Sequence, residues 1–349
     1  MLIPVILFIV GLACLIKGGD WFVDGASSLA RKFRLPELLI GATVVSIGTT
    51  LPEVMVSTMS ALSGHGEIAY GNAIGSVICN TALIAAITIA VKPGPVDPKT
   101  LKVPVAFFYI AAAIYCIAAY MMGRFTRPMG LIMLTVFAAY MVVNVRSMMS
   151  SSGSRAGSGD EQAPEEPDGG SDVGSDGGSG GSPDEKEEAE KDMSMGKILI
   201  FLVAGAALIA VGAHLLVDNG TLIAQALGVP ESVIALTFVA LGTSLPELVT
   251  AITSLAKGHG ALSLGNVIGA NVFNLVLVSG VSVTLAPFSV PQSAVFMGHN
   301  ASLILEIPVM MLVMSILTIP TLIRGKLTRT QGILLLAIYA VFCVIQFTM

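Results

Sequence analysis

Gly48-Thr49-Thr50-Leu51-Pro52-Glu53 returns as Gly242-Thr243-Ser244-Leu245-Pro246-Glu247, at an offset of 194 residues. The same offset lays Val23-Asp24 on Val217-Asp218, Pro36-Glu37 on Pro230-Glu231, and Gly71-Asn72-Ala73-Ile74-Gly75 on Gly265-Asn266-Val267-Ile268-Gly269. It also lays Asn80 on Asn274, and no gap interrupts the register from Val23 to Asn80. The chain is an internal duplication.

Around these motifs the composition is that of a membrane protein: 349 residues, 54% hydrophobic and only 12% charged. Apolar segments fall at about 2–30, 36–62, 68–91, 103–122 and 129–147, then 195–224, 230–256, 261–287, 301–320 and 330–348. Each approaches the roughly 20 residues that cross a bilayer as a helix. No basic residue precedes the first of them, so a cleavable leader is not expected. Five segments per half is an odd number, so the second half must enter the membrane from the opposite side. The expected fold is therefore an all-α polytopic membrane protein with ten transmembrane helices, arranged as two inverted five-helix repeats. The repeats are assigned to 1–149 and 194–349. Between them, 150–193 is Gly, Ser, Pro, Asp and Glu with almost no apolar content, the composition of a disordered acidic linker.

Thirteen of the 23 acids lie between Asp160 and Asp192, so the net charge of −5 belongs to the linker and argues for no nucleic-acid partner. Basic residues set the orientation. With the linker cytoplasmic, Arg31, Lys32, Arg34, Lys92, Lys257, Arg324, Lys326 and Arg329 are among fifteen that fall inside, against Arg124 and Arg127 outside. Both termini are then expected outside a cell membrane. Cys14, Cys79, Cys116 and Cys343 lie singly in apolar segments, which predicts neither disulfides nor a zinc site.

Of the acids outside the linker, Glu53 and Glu247 lie in the middle of their segments, where an ionisable group is costly and points to function. Pro52 and Pro246 lack an N–H, and Gly48 and Gly242 tolerate unusual backbone. Together they predict that helices 2 and 7 are broken just before each glutamate, freeing carbonyls such as those of Thr49 and Thr243. Carboxylates, carbonyls and hydroxyls are hard ligands suited to Ca2+ and Na+. Gly71/Gly75 and Gly265/Gly269 read as close-packing pairs. Asn72 and Asn266 read as cap or interhelix groups, Asp24 and Asp218 as capping or structural groups, and Glu306 as interfacial.

Gly41-Ala42-Thr43 through Glu53 and Gly71 through Asn80 resemble the first alpha repeat of the cation/Ca2+ exchanger superfamily. Ala240 through Glu247 and Gly265 through Asn274 resemble the second, and the likeness is greatest to archaeal and bacterial sodium/calcium exchangers. The resemblance implies an antiporter rather than an enzyme, with Ca2+ and Na+ as transported ions, no resident cofactor and no obligate protein partner. It implies a Ca2+ site of Glu53, Glu247, Thr49 and Thr243. It implies flanking Na+ sites from the Ser46 and Ala240 carbonyls, Thr50, Ser76, Ser244, Asn80 and Asn274. Ions would exchange by alternating access, with the first and sixth helices sliding across the core. Asn274 stands where many microbial relatives have aspartate, and Ala270 where they have serine. Gly75 and Gly269 stand where the proton-coupled branch carries an acid, which argues against H+ coupling; an H+-coupled or other divalent-cation exchanger of the same fold is the alternative.

Overall fold

The computed structural model describes residues 2–156, 193–226, 244–292 and 295–348. Backbone polar groups in a bilayer must satisfy one another, and the chain meets that demand with helices almost throughout. Taking π-helical stretches with the helices they interrupt, these are α1 (Leu2–Lys32), α2 (Glu37–Leu62), α3 (Gly66–Val91), α4 (Pro98–Met122) and α5 (Arg127–Ala156). The second half supplies α6 (Met195–Ala226), α7 (Leu245–Ala256), α8 (Gly260–Leu285), α9 (Ser302–Arg324) and α10 (Arg329–Thr348). Among the described residues nine of these are long and apolar enough to cross a membrane, and α7 is shorter. The rest of the seventh expected segment falls in 227–243, outside the described residues. So does most of the expected linker. The structure also corrects the boundary at 149, because α5 continues to Ala156. Polar serines are compatible with a helix that has already been nucleated by an apolar span.

Local conformation repeats with the sequence. Gly64 and Gly258 both take the left-handed region, at φ +84° and +86°, which glycine enters without a Cβ penalty. His65 and His259 follow with nearly the same angles and precede α3 and α8. Both helices then change to π geometry at an asparagine, Asn80–Ala85 in α3 and Asn274–Val278 in α8. On the periphery, Ile9, Met55, Met121, Leu199 and Ile323 are exposed, as lipid-facing side chains are.

Two apolar cores divide the molecule. The larger joins α3, α4, α5, α8 and α9 through side chains such as Tyr70, Phe108, Tyr115, Met133, Tyr140, Phe273 and Met310. Aromatic pairs knit it, with ring centroids 4.7 Å apart for Tyr115–Phe125 and 5.0 Å for Phe137–Phe273. The smaller core is Leu15, Phe22 and Val23 of α1 against Ile198, Leu202 and Ile209 of α6, reaching Ile40, Val45 and Leu262 at its edge. Here α1 and α6 approach backbone to backbone. A Cβ on Gly18 would meet the Gly205 carbonyl, and one on Gly205 would meet the Phe22 backbone. Short strands tie the connections: β1 (Arg124–Phe125) pairs antiparallel with β2 (Phe288–Ser289), and β3 (Val295–Phe296) with β4 (His299–Asn300).

The break expected before Glu53 is replaced by something milder. Helix runs without interruption from Ser46 through Pro52 to Leu62, and the irregular stretch is the π turn Gly41–Val45 upstream. Proline removes one donor, so the carbonyl left without its helical partner is that of Gly48, four residues back, not that of Thr49. Gly48 itself serves packing, because a Cβ there would strike the Phe22 ring of α1. In the second half, α7 begins at Leu245 with Ser244 as N-cap and Pro246 in its first turn, where a missing N–H costs nothing. Gly242 lies outside the described residues.

Candidate ion-binding site

Glu53 and Glu247 are each fully buried. Glu53 hangs from the middle of α2, while Glu247 sits in the first turn of α7. The two carboxyl groups face each other across the gap between those helices, with Thr49 and Thr50 of α2 beside Glu247. None of the four carboxylate oxygens has a hydrogen-bond partner of good geometry among the described residues. Leaving an ionised carboxylate buried and unpaired costs several kcal/mol, about the order that breaking a buried pair costs. Such an arrangement is stable only if something else neutralises it.

The surrounding atoms have the right chemistry for a cation. Thr50 Oγ1, Ser244 Oγ and both amide atoms of Asn80 and Asn274 are also buried without partners. Counted with the carboxylates, that is ten polar atoms, eight of them oxygen. Ca2+ takes oxygen ligands, and carboxylate, hydroxyl and amide oxygens are of the kind it prefers. No group of three or more His, Cys, Asp or Glu that could hold a softer metal occurs among the described residues.

Other expected site residues divide three ways. Ser46 and Thr49 are buried beside the cluster but are already engaged. Ser46 Oγ donates to the carbonyls of Gly41 (2.9 Å) and Asn266 (3.0 Å), and Thr49 Oγ1 donates to Asn266 Oδ1 (3.2 Å). Ser76 lies on α3 one helical turn before Asn80, so it shares that face, and is buried. Thr243 and Ala240 lie outside the described residues.

Several contributors were not readable from the sequence. Asn266 of α8 receives both α2 hydroxyls. Its repeat partner Asn72 donates to Ser57 Oγ at 2.8 Å and reaches the carbonyl of Glu53 at 3.4 Å. The repeat offset flagged both asparagines, but not the direction of their bonds. The π turn of α2 releases the Ala42 carbonyl, which accepts from Tyr140 of α5 at 2.8 Å. The π turns starting at Asn80 and Asn274 open the α3 and α8 ladders where the unpaired amides sit, a placement common at functional sites. No residue-level signal marks a π turn in advance.

The paired glycines behave differently in the two halves. A Cβ on Gly265 would enter the Leu38 carbonyl, and one on Gly269 would meet Ser46 and Ala42, so α8 rests directly on α2. On Gly71 or Gly75 a Cβ meets nothing within 4 Å. At the repeat offset, the segment matching 38–46 is 232–240, outside the described residues. Glu306 is half-buried near the start of α9 and accepts from Gln346 of α10 at 3.2 Å. The four cysteines are free. A separate cavity of about 510 Å³ lies away from the glutamates, lined by Glu37, Lys92, Asp97 and Ser263 at the ends of α2, α3, α4 and α8.

Comparison with known proteins gives a consistent result. A family model described as sodium/calcium exchanger protein matches residues 3–146 and 197–348. The chain is 30% identical to sodium/calcium exchanger MaX1 of Methanosarcina acetivorans over 98% of both chains. It is 33% identical to inner membrane protein YrbG of Escherichia coli, over 88% of this chain and 87% of that one. Among solved structures it is similar to the sodium-calcium exchanger NCX_Mj, with a TM-score of 0.74, 29% identity and 97% of each chain covered.

Proposed function

Since the chain belongs to the sodium/calcium exchanger protein family, a family of membrane transporters and not of enzymes, we propose that it exchanges Na+ for Ca2+ by alternating access at one site built on Glu53 and Glu247. The observation that carries this reading is the facing pair of fully buried carboxylates without hydrogen-bond partners among the described residues, set in repeated Gly-Thr-(Thr/Ser)-Leu-Pro-Glu frames. Thr49 and Thr243 complete the Ca2+ ligands. Thr50, Ser76, Ser244, Asn80, Asn274 and the carbonyls of Ser46 and Ala240 complete flanking Na+ sites.

Mechanism follows from charge. Two carboxylates are neutralised by one Ca2+ or by several Na+, and the two ion sets compete for the same oxygens. A loaded site buries its charges at little cost, whereas an empty one leaves two desolvated anions in a low-dielectric interior. Movement between outward and inward access is therefore tied to occupancy, and exchange rather than leak is the result. In this reading both termini face outside, 150–193 lies in the cytoplasm, and the repeats on either side of it are oppositely oriented.

Reconstitution in liposomes tests this directly. Ca2+ uptake is expected under an outward Na+ gradient and to be indifferent to K+ or pH gradients; uptake driven by a pH gradient and insensitive to Na+ would assign H+ coupling instead. Glu53→Gln and Glu247→Gln are each expected to abolish uptake while the protein still elutes as a single folded species. Retained flux in either variant sinks the site.

A further inference from the structure

Lys257 stands at the C-terminal end of α7, in the turn that leads to α8. Its ammonium reaches across to α1, where it bonds Asp24 Oδ1 at 2.7 Å, the Asp20 carbonyl at 3.1 Å and Asp20 Oδ1 at 3.3 Å. Below this clasp α1 and α7 touch closely, since a Cβ on Gly19 would strike Thr253 and Val249.

The duplication makes this contact informative. At the offset of 194, Asp20 corresponds to His214, Asp24 to Asp218 and Lys257 to Ser63. The cation that closes the clasp at one end of the molecule is thus a neutral serine at the other. There His214 Nδ1 pairs with Asp218 Oδ2 at 2.7 Å on its own helix, α6. Exposure follows the chemistry. Asp20, Asp24 and Lys257 side chains are 38%, 27% and 28% exposed, whereas His214 and Asp218 are 77% and 58% exposed. One end of the α1–α6 pair is pinned to the body, and among the described residues the equivalent position at the other end pairs only within its own helix. That pair has its own small apolar core, apart from the main one, so a few polar contacts at its edge carry weight.

We propose that Lys257 is a positioning residue, an ionic latch that holds α1 against α7 at the linker-side end and biases the transporter toward the conformation closed at that end and open at the other. The inference rests on the alternating-access reading above. It adds to that reading a cause for asymmetry between the two repeats. Lys257, Asp20 and Asp24 touch neither glutamate in this arrangement; they act through the placement of α1.

Thr253→Cys places a thiol under the latch, against Gly19. In this background a membrane-impermeant maleimide applied from the linker side labels slowly while the latch is closed. Lys257→Met and, independently, Asp24→Asn are expected to raise the labelling rate about five-fold, the size of effect that a half-buried ion pair supports. With Asp20→Asn removing the second carboxylate, the charge swap Asp24→Lys with Lys257→Asp is expected to restore slow labelling. In proteoliposomes of one orientation, Lys257→Met is also expected to weaken apparent ion affinity at the open end and strengthen it at the linker side. A merely structural lysine would lower yield without moving the two affinities in opposite directions. Unchanged labelling in both single variants, or no recovery in the swap, overturns the latch. Labelling requires no transport, so its outcome is separate from a failure of Na+-driven Ca2+ flux.

Discussion

The hydroxyls of Ser46 and Thr49 both turn onto Asn266. The hydrogen bond fixes the Thr49 rotamer next to Glu247 and links the first repeat's glutamate helix to the second repeat's α8. Asn266→Ala removes the acceptor of Thr49 Oγ1, while Ser46 Oγ keeps the carbonyls of Gly41 and Asn266. With each net hydrogen bond contributing about 0.5–1.5 kcal/mol, the expected result is a rise of about two- to ten-fold in the apparent KM for Ca2+, with a smaller change in maximal rate. Flux measured against Ca2+ concentration checks it, and an unaltered KM would show that Thr49 is positioned by something else. The sequence marked Asn266 as special through the repeat. Its acceptor role depends on α2 lying across α8, which no local pattern encodes.

At the scale of elements, the glycines of α8 set the distance at which it crosses α2. Gly265 sits on the Leu38 carbonyl, a backbone atom that cannot rotate away. Gly265→Ala therefore forces the helices apart, and overpacking of this kind costs about 1–3 kcal/mol. The expected outcome is a lower melting temperature in detergent together with reduced exchange, because Asn266 is the next residue. A wild-type melting temperature would mean that α2 shifts freely. Helix content was legible from hydropathy, and the proline–glutamate pairs were legible from the duplication. The expected break in α2 was not found at Pro52, because one missing N–H is absorbed by a helix held on both sides. The irregular backbone appears as π turns at Gly41–Val45, Asn80–Ala85 and Asn274–Val278 instead. These arise where packing and side-chain donors capture the freed carbonyls, as the Tyr140 hydroxyl captures that of Ala42.

For the whole molecule, the acidic segment between the halves is a test of how self-sufficient the membrane body is. Replacing 157–192 with a Gly/Ser segment of the same length is expected to leave Na+-driven Ca2+ uptake within about two-fold of the original, as expected of a solvated tether. Loss of uptake in a folded protein would make its acids part of the transport cycle. One difference between the two halves that bears on the cycle as a whole is the lysine at 257 opposite the serine at 63. By itself the sequence determined the membrane class, the duplication and the choice of Glu53 and Glu247 as the buried charges. It could do so because hydropathy, repeat register and the cost of intramembrane charge are properties of residues and their spacing. Only the tertiary structure decided that the two carboxylates face each other without a partner among the described residues, that Asn266 takes the hydroxyls of Ser46 and Thr49, and that Lys257 clasps α1. Those outcomes depend on which helices cross and how closely, and crossing is fixed by packing between residues far apart in the chain.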